Sequence, residues 1–208
     1  MRTIVVVGEG RASARPDLAV TTLGVEILAP TLAGATAEAR SAMTGVLQAL
    51  RSAGLEDRDL RTARYSVQLE RPYNPQTGQQ GEVTGYRVSN LVQARIKVLE
   101  RVGVTLDQAV AAGANTVSGV SFTVSDPAIL RDQARAAAMT DARSRAEQIA
   151  NLAGVELGSL VQVSEAPGPA VVGPRETTFA LVAQGTPMPI EGGELEMSLH
   201  LQVTYEIG

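Results

Sequence analysis

The stretch IVVVGEGRASARPDLAV, Ile4 to Val20, places a Gly-x-Gly directly after an apolar run, and its reading decides the fold. A dinucleotide-binding loop needs a strand, a glycine turn and then a helix whose free amides meet a pyrophosphate, with a third Gly or Ala completing G-x-G-x-x-G. Here the third position is Ser13, and Arg15-Pro16-Asp17 leads into a second alternating segment with Leu23, Val25 and Ile27. No helix begins there, so no row of amides is offered to phosphate. Gly8 and Gly10 are read instead as positions of a bulge or of close strand packing, and Pro16-Asp17 as a turn into the next strand.

The remaining segments support an antiparallel α+β reading. In LEMSLHLQVTYEI, Leu195, Met197, Leu199, Leu201, Val203, Tyr205 and Ile207 alternate with Glu196, Ser198, His200, Gln202, Thr204 and Glu206. A strict period of two means one buried face and one wet or polar one. From Tyr86 to Val98 the inward set is Tyr86, Val88, Val92, Ala94, Ile96 and Val98, with Arg87, Ser89, Gln93, Arg95 and Lys97 outward. Such alternation belongs to antiparallel sheets with one covered face.

Two helices are placed to cover those faces. The first starts at Thr31 as N-cap, presents Leu32, Ala35, Ala39, Met43, Val46, Leu47 and Leu50, and closes at Gly54. The second opens at Asp126-Pro127 and carries an i+4 row of Ala134, Ala138, Ala142, Ala146 and Ala150, small enough to lie close to a sheet. Asp141/Arg145 and Arg143/Glu147 are read as solvated i,i+4 pairs. A shorter helix is expected over Val102 to Ala112.

Both long helices end in Ala-Gly, an aliphatic residue and Glu, and this suggests duplication. The repeated unit is β-α-β-β: strand 18–28, helix 31–53, strand 63–70 and strand 84–98, then strand 116–124, helix 127–153, strand 159–165 and strand 194–207. Residues 1–100 are expected to hold an extra N-terminal strand plus the first repeat, and 101–208 a linking helix plus the second. Each repeat has a loop between its last two strands: RPYNPQTGQQGEVTG, and a longer one from Ala166 to Glu194 with five prolines and the apolar patch FALVA. A loop beyond about 15 residues is usually functional or mobile. Phe179, Leu181 and Val182 of the long loop, with Tyr73 of the shorter one, are the candidate interaction surface; the competing reading makes the patch another strand of its own subunit.

Composition narrows the chemistry. The chain has 208 residues, 44% hydrophobic and only 3% aromatic, so its core is built from Val, Leu, Ile and Ala. With 18 basic and 22 acidic residues the net charge is −4, and no basic run could follow a phosphate backbone; no nucleic-acid partner is expected. The absence of cysteine excludes disulfides, thiolate catalysis and cysteine-ligated zinc. His200, the single histidine, has neither carboxylate orienter nor nucleophile placed beside it by the sequence. Glu56, Asp57 and Asp59 cluster in EDRDLR, which reads as a solvated helix-to-strand connection interleaved with arginine. No catalytic residue, metal site or cofactor is assigned.

No segment reaches the roughly 18–20 continuous apolar residues of a membrane-spanning helix. The first residues enter a strand without the blocks of a signal peptide, so the expectation is either a cytoplasmic protein or one whose leader has been removed.

Four stretches in order carry a family resemblance: V-x-G-E-G followed by RPD, LRSAGLEDRDLRTARYSV, GYRVSNLVQARIKVLERVGVTLDQAVAAGANTVSGVSFTVSD, and ARAAAMTDARSRAEQIANLAGVELGSLVQVSE. Across nearly the whole chain they resemble the SIMPL-domain family, named after a signalling protein that associates with a pelle-like kinase. The resemblance implies an exported, periplasmic or extracellular protein with no agreed enzymatic activity; one member is linked to protection from oxidative stress. Such protection could not use thiols here, and five scattered methionines do not form an oxidant trap.

The leading expectation is a non-enzymatic, self-associating extracytoplasmic protein, a homo-oligomer with a scaffold or stress-protective role. The alternative is a small-ligand binding module or enzyme with a pocket between the repeats, gathering Glu56, Asp59, His200 and an arginine. A kinase-pathway adaptor, resting on the family name alone, ranks last.

Overall fold

A computed structural model of the chain describes residues 2–71, 73–74, 79–165 and 193–208. In chain order the elements are β1 (Thr3–Ala14), β2 (Leu18–Ala29), α1 (Leu32–Ser52), β3 (Leu60–Glu70), β4 (Tyr73–Asn74), β5 (Gln79–Gln80), β6 (Gly85–Ile96), α2 (Val102–Ala111), β7 (Thr116–Thr123), α3 (Pro127–Ala153), β8 (Leu157–Glu165) and β9 (Leu195–Ile207). The fold is α+β with antiparallel sheets and helices on one face, as the alternation requires. It separates into two compact units.

The α1 unit is a four-stranded sheet of order β3-β6-β2-β7, with β4 and β5 forming a small ribbon between β3 and β6. Helix α1 starts where Thr31 Oγ1 accepts from the Gly34 amide at 3.2 Å, and ends at Gly54, whose φ of +99° suits only glycine. Ala35, Ala39, Met43, Val46 and Leu50 point into the core beside Leu23, Val25, Val88, Val92 and Ile96. Fully burying a Val, Leu, Ile or Met side chain contributes about 1.5–3 kcal/mol. Two expected core residues lie outside it: Leu32 sits exposed in the first helical turn, and Val98 is exposed beyond the end of β6.

The α3 unit is a three-stranded sheet of order β1-β9-β8 under α3. Asp126 Oδ1 accepts from the Ala128 amide at 2.9 Å, Pro127 occupies the first turn, and Gly154 at φ +66° ends the helix. All five alanines of the i+4 row are buried. Three of them, Ala134, Ala138 and Ala142, meet Gly8 and Gly10, and this contact answers the question raised by the Gly-x-Gly. A Cβ on Gly8 would stand 2.1 Å from the Ala138 carbonyl oxygen, and one on Gly10 would stand 1.9 Å from that of Ala134. The glycines admit a helix backbone onto the strand, closer than any side chain permits.

Three strands of each sheet follow one order. The segment β2-α1-β3-β6 gives the order β3-β6-β2, and β1, α3, β8 and β9 give the matching order β8-β9-β1. Residues 116–124 do not open the second repeat: β7 lies against β2, where Thr21 Oγ1 donates to the Ser118 carbonyl and the Asn115 amide to that of Gly24. The strand at the start of the chain is not an extra one either, for β1 pairs with β9 over its whole length. The reason lies in α3, whose alanine row needs two glycines on one strand face. Gly8 and Gly10 supply them, whereas β7 has only Gly119.

Candidate interaction surface on the edge strands

A helix with its side chains is about 10–12 Å across, and strands lie about 4.8 Å apart, so one helix covers two strands of a sheet and leaves a third bare. Helix α1 lies over β2 and β6, and among the described residues the edge strand β3 lies outside its cover. On its helix-side face β3 sets Tyr65, Val67 and Leu69 opposite Asn90, Val88 and Tyr86 of β6. These three apolar side chains are 57%, 43% and 53% exposed. Between Tyr65 and α1 runs a groove of about 310 Å³, lined by Thr36, Arg40, Met43, Thr44, Tyr65 and Asn90 among others. The α3 unit repeats the arrangement: Leu160 and Val163 of β8 oppose the buried Tyr205 and Val203, yet are 48% and 44% exposed.

The other face of the α1 sheet is charged. Arg87 of β6 bridges Glu26 of β2 and Glu70 of β3, three neighbouring strands in one ion-pair row. The Glu70 hydrogen bond, with that of Glu26 behind it, raises the Arg87 pKa above its ordinary value. Arg64, exposed on β3, makes no ion pair among the described residues.

The acidic cluster at 56–59 proves to be structural. Asp59 is buried, receives Lys97 Nζ at 2.8 Å, and accepts from the Glu56 amide at 3.3 Å to close a 3-10 turn. The Lys97 hydrogen bond holds its carboxyl below the ordinary range. Glu56 pairs with Arg58 at 2.7 Å and Asp57 with Arg51 at 2.9 Å. Each carboxylate is thus committed to a cation at the entry to β3.

His200 is half-buried on the face of β9 away from α3, opposite Glu9 in register. Glu9 accepts from Arg11 at 2.7 Å, which depresses the Glu9 pKa, and Arg11 also reaches Glu196 at 3.6 Å. Among the described residues, no group of three or more His, Asp or Glu is gathered to hold a metal ion.

One pair taken as solvated has a structural part. Arg143 and Glu147 form an exposed pair at 2.9 Å, but Asp141, besides receiving Arg145 at 2.8 Å, accepts from the Glu9 amide at 2.8 Å. That amide belongs to the edge strand β1, so α3 caps the strand it covers. The hydrogen bond from Glu9 is the first cause of the lowered Asp141 pKa.

Of the candidate surface named from the sequence, Tyr73 lies in β4, while Phe179, Leu181 and Val182 fall outside the described residues. The β3 row was legible as the alternation Tyr65, Val67, Leu69. Its exposure was not, because alternation tells which face a residue is on, not whether anything covers it.

Comparison with known proteins agrees with the four stretches quoted above. The SIMPL family profile, described as a protein of unknown function (DUF541), matches residues 4–205. The 26 kDa periplasmic immunogenic protein of Brucella melitensis is 33% identical over 210 residues, covering 98% of this chain and 84% of that protein. The uncharacterized protein YggE of Edwardsiella ictaluri is 29% identical over 160 residues, 77% of this chain and 66% of that protein. YggE of Escherichia coli K12 matches at the same identity over 77% of this chain and 64% of its own length. With the family profile spanning both units, the chain belongs to the SIMPL family.

Proposed function

We propose that this is a non-enzymatic, self-associating protein of the cell envelope with a scaffold or stress-protective role. The observation that carries the reading is the pair of apolar rows exposed on β3 and β8, one in each unit. Edge strands with exposed apolar side chains are templates for pairing with another chain, and although a bulge at Thr62/Arg64 interrupts β3, its stretch from Arg64 to Glu70 stays regular. The envelope location is supported by the Brucella relative, whose name places it in the periplasm. No helix among the described residues is long and apolar enough to cross a membrane.

Light scattering on the size-fractionated protein, across a hundredfold range of concentration, tests the reading. A discrete mass of two or more chains is expected, and a single-chain mass throughout would overturn it. The groove beside α1, with Arg40, Thr44, Tyr65 and Asn90 among its walls, favours a second reading as a small-ligand site. Native mass spectrometry distinguishes the two, since a bound ligand adds a small reproducible mass to the single chain.

A further inference from the structure

Self-association leaves open which surface mediates it, and resting on that reading we infer that β3 pairs antiparallel with β3 of a second copy about a two-fold axis at Val67. Such an axis stands perpendicular to the sheet and keeps the helix-side faces of both copies on one side. Residues directly opposite must then share a face, so their numbers sum to an even value. The bulge between Thr62 and Arg64 interrupts the strand at one end, leaving Arg64 to Glu70 as the regular stretch. Centring on Val67 uses all of it. Tyr65 meets Leu69, Val67 meets its own copy, Ser66 meets Gln68 and Arg64 meets Glu70.

Charge selects this register over its neighbours. Arg64 and Glu70 lie on the face opposite the apolar row, and the two-fold brings them together twice. Arg64 has no ion pair of its own among the described residues, and Glu70 already anchors Arg87 through one oxygen, Oε1. Centring on Gln68 would set Tyr65 against Arg71 and Arg64 against Pro72, which has no amide to donate. Centring on Ser66 would set Arg64 against Gln68 and Leu69 against the bulged Ala63. Only the Val67 register pairs every apolar residue with an apolar one and every charge with its opposite, which is how cross-strand pairs stabilise a sheet. The product is a continuous eight-stranded sheet from two four-stranded ones.

The chain contains no cysteine, so single thiols report the geometry without interference. Val67→Cys places two thiols across the axis at strand-pair distance, within disulfide reach. Under mild oxidation it is expected to form covalent dimer at least tenfold faster than Gln133→Cys, an exposed position on α3. Tyr65→Cys alone is expected not to cross-link, but to do so when mixed with Leu69→Cys. As a second variant, Arg64→Glu sets like charges opposite Glu70 twice and is expected to weaken dimerisation at least tenfold by light scattering.

The outcomes separate. An oligomer in which Val67→Cys cross-links no faster than Gln133→Cys overturns the β3 pairing and leaves self-association standing. A wild-type monomer overturns both. A monomer with β3 amides protected from hydrogen exchange would assign the edge to another segment of the same chain, and equally overturns the pairing.

Discussion

Helices α1 and α3 do the same job with opposite means. α1 meets its sheet through Met43, Val46 and Leu50, whose volume fills the space above β2 and β6. α3 contributes alanine where it meets Gly8 and Gly10, so that helix backbone nearly touches strand backbone. One interface depends on side chains being present and the other on their being absent. The first is therefore sensitive to truncation, and the second to addition.

The largest expected effect breaks the α3 side of that comparison. Overpacking costs about 1–3 kcal/mol per site, occasionally more. With only about 5–15 kcal/mol of total stability available, Gly8→Val with Gly10→Val should remove a large share of it and loosen α3 from its sheet. Hydrogen exchange is expected to show protection lost in β1 and α3 and kept in α1. Equal loss in both units would mean that they do not unfold separately.

Next is the opposite operation on the α1 side. Leu50→Ala opens a cavity at a fully buried site and should cost about 2–5 kcal/mol in urea denaturation. A smaller effect tests the cap that α3 places on β1. Asp141→Ala leaves the Glu9 amide without its carboxylate, and a loss of about 1 kcal/mol is expected, with faster exchange at that amide.

The smallest is a pH effect. Asp59 and Asp141 have pKa values lowered by their folded partners, so the unfolded chain binds protons first as pH falls. Their contribution is present above the ordinary aspartate value of about pH 4 and lost as pH drops through the folded values. Urea midpoints between pH 7 and pH 2 should decline less steeply in the Asp59→Asn, Asp141→Asn double variant than in the parent.

Much of this was legible before any fold was known, and for local reasons. Thr31, Gly54, Asp126-Pro127 and Gly154 mark helix ends because caps are satisfied within a turn. The alternation of β9 and β6 is likewise a property of neighbouring residues. The candidate surface fared differently. Three of its four residues fall in a stretch outside the described residues, while the exposed row lies on Tyr65, Val67 and Leu69, inside a strand that the sequence had already placed.

By itself, then, the sequence determined the elements, the antiparallel α+β class and the family, because periodicity, caps and motifs are written in adjacent residues. Tertiary structure alone decided that β1 rather than β7 completes the α3 sheet, and that the apolar rows of β3 and β8 are exposed. Both decisions are matters of fit between distant segments. The alanine row needs the strand that carries two glycines, and a helix is wide enough for two strands but not for three.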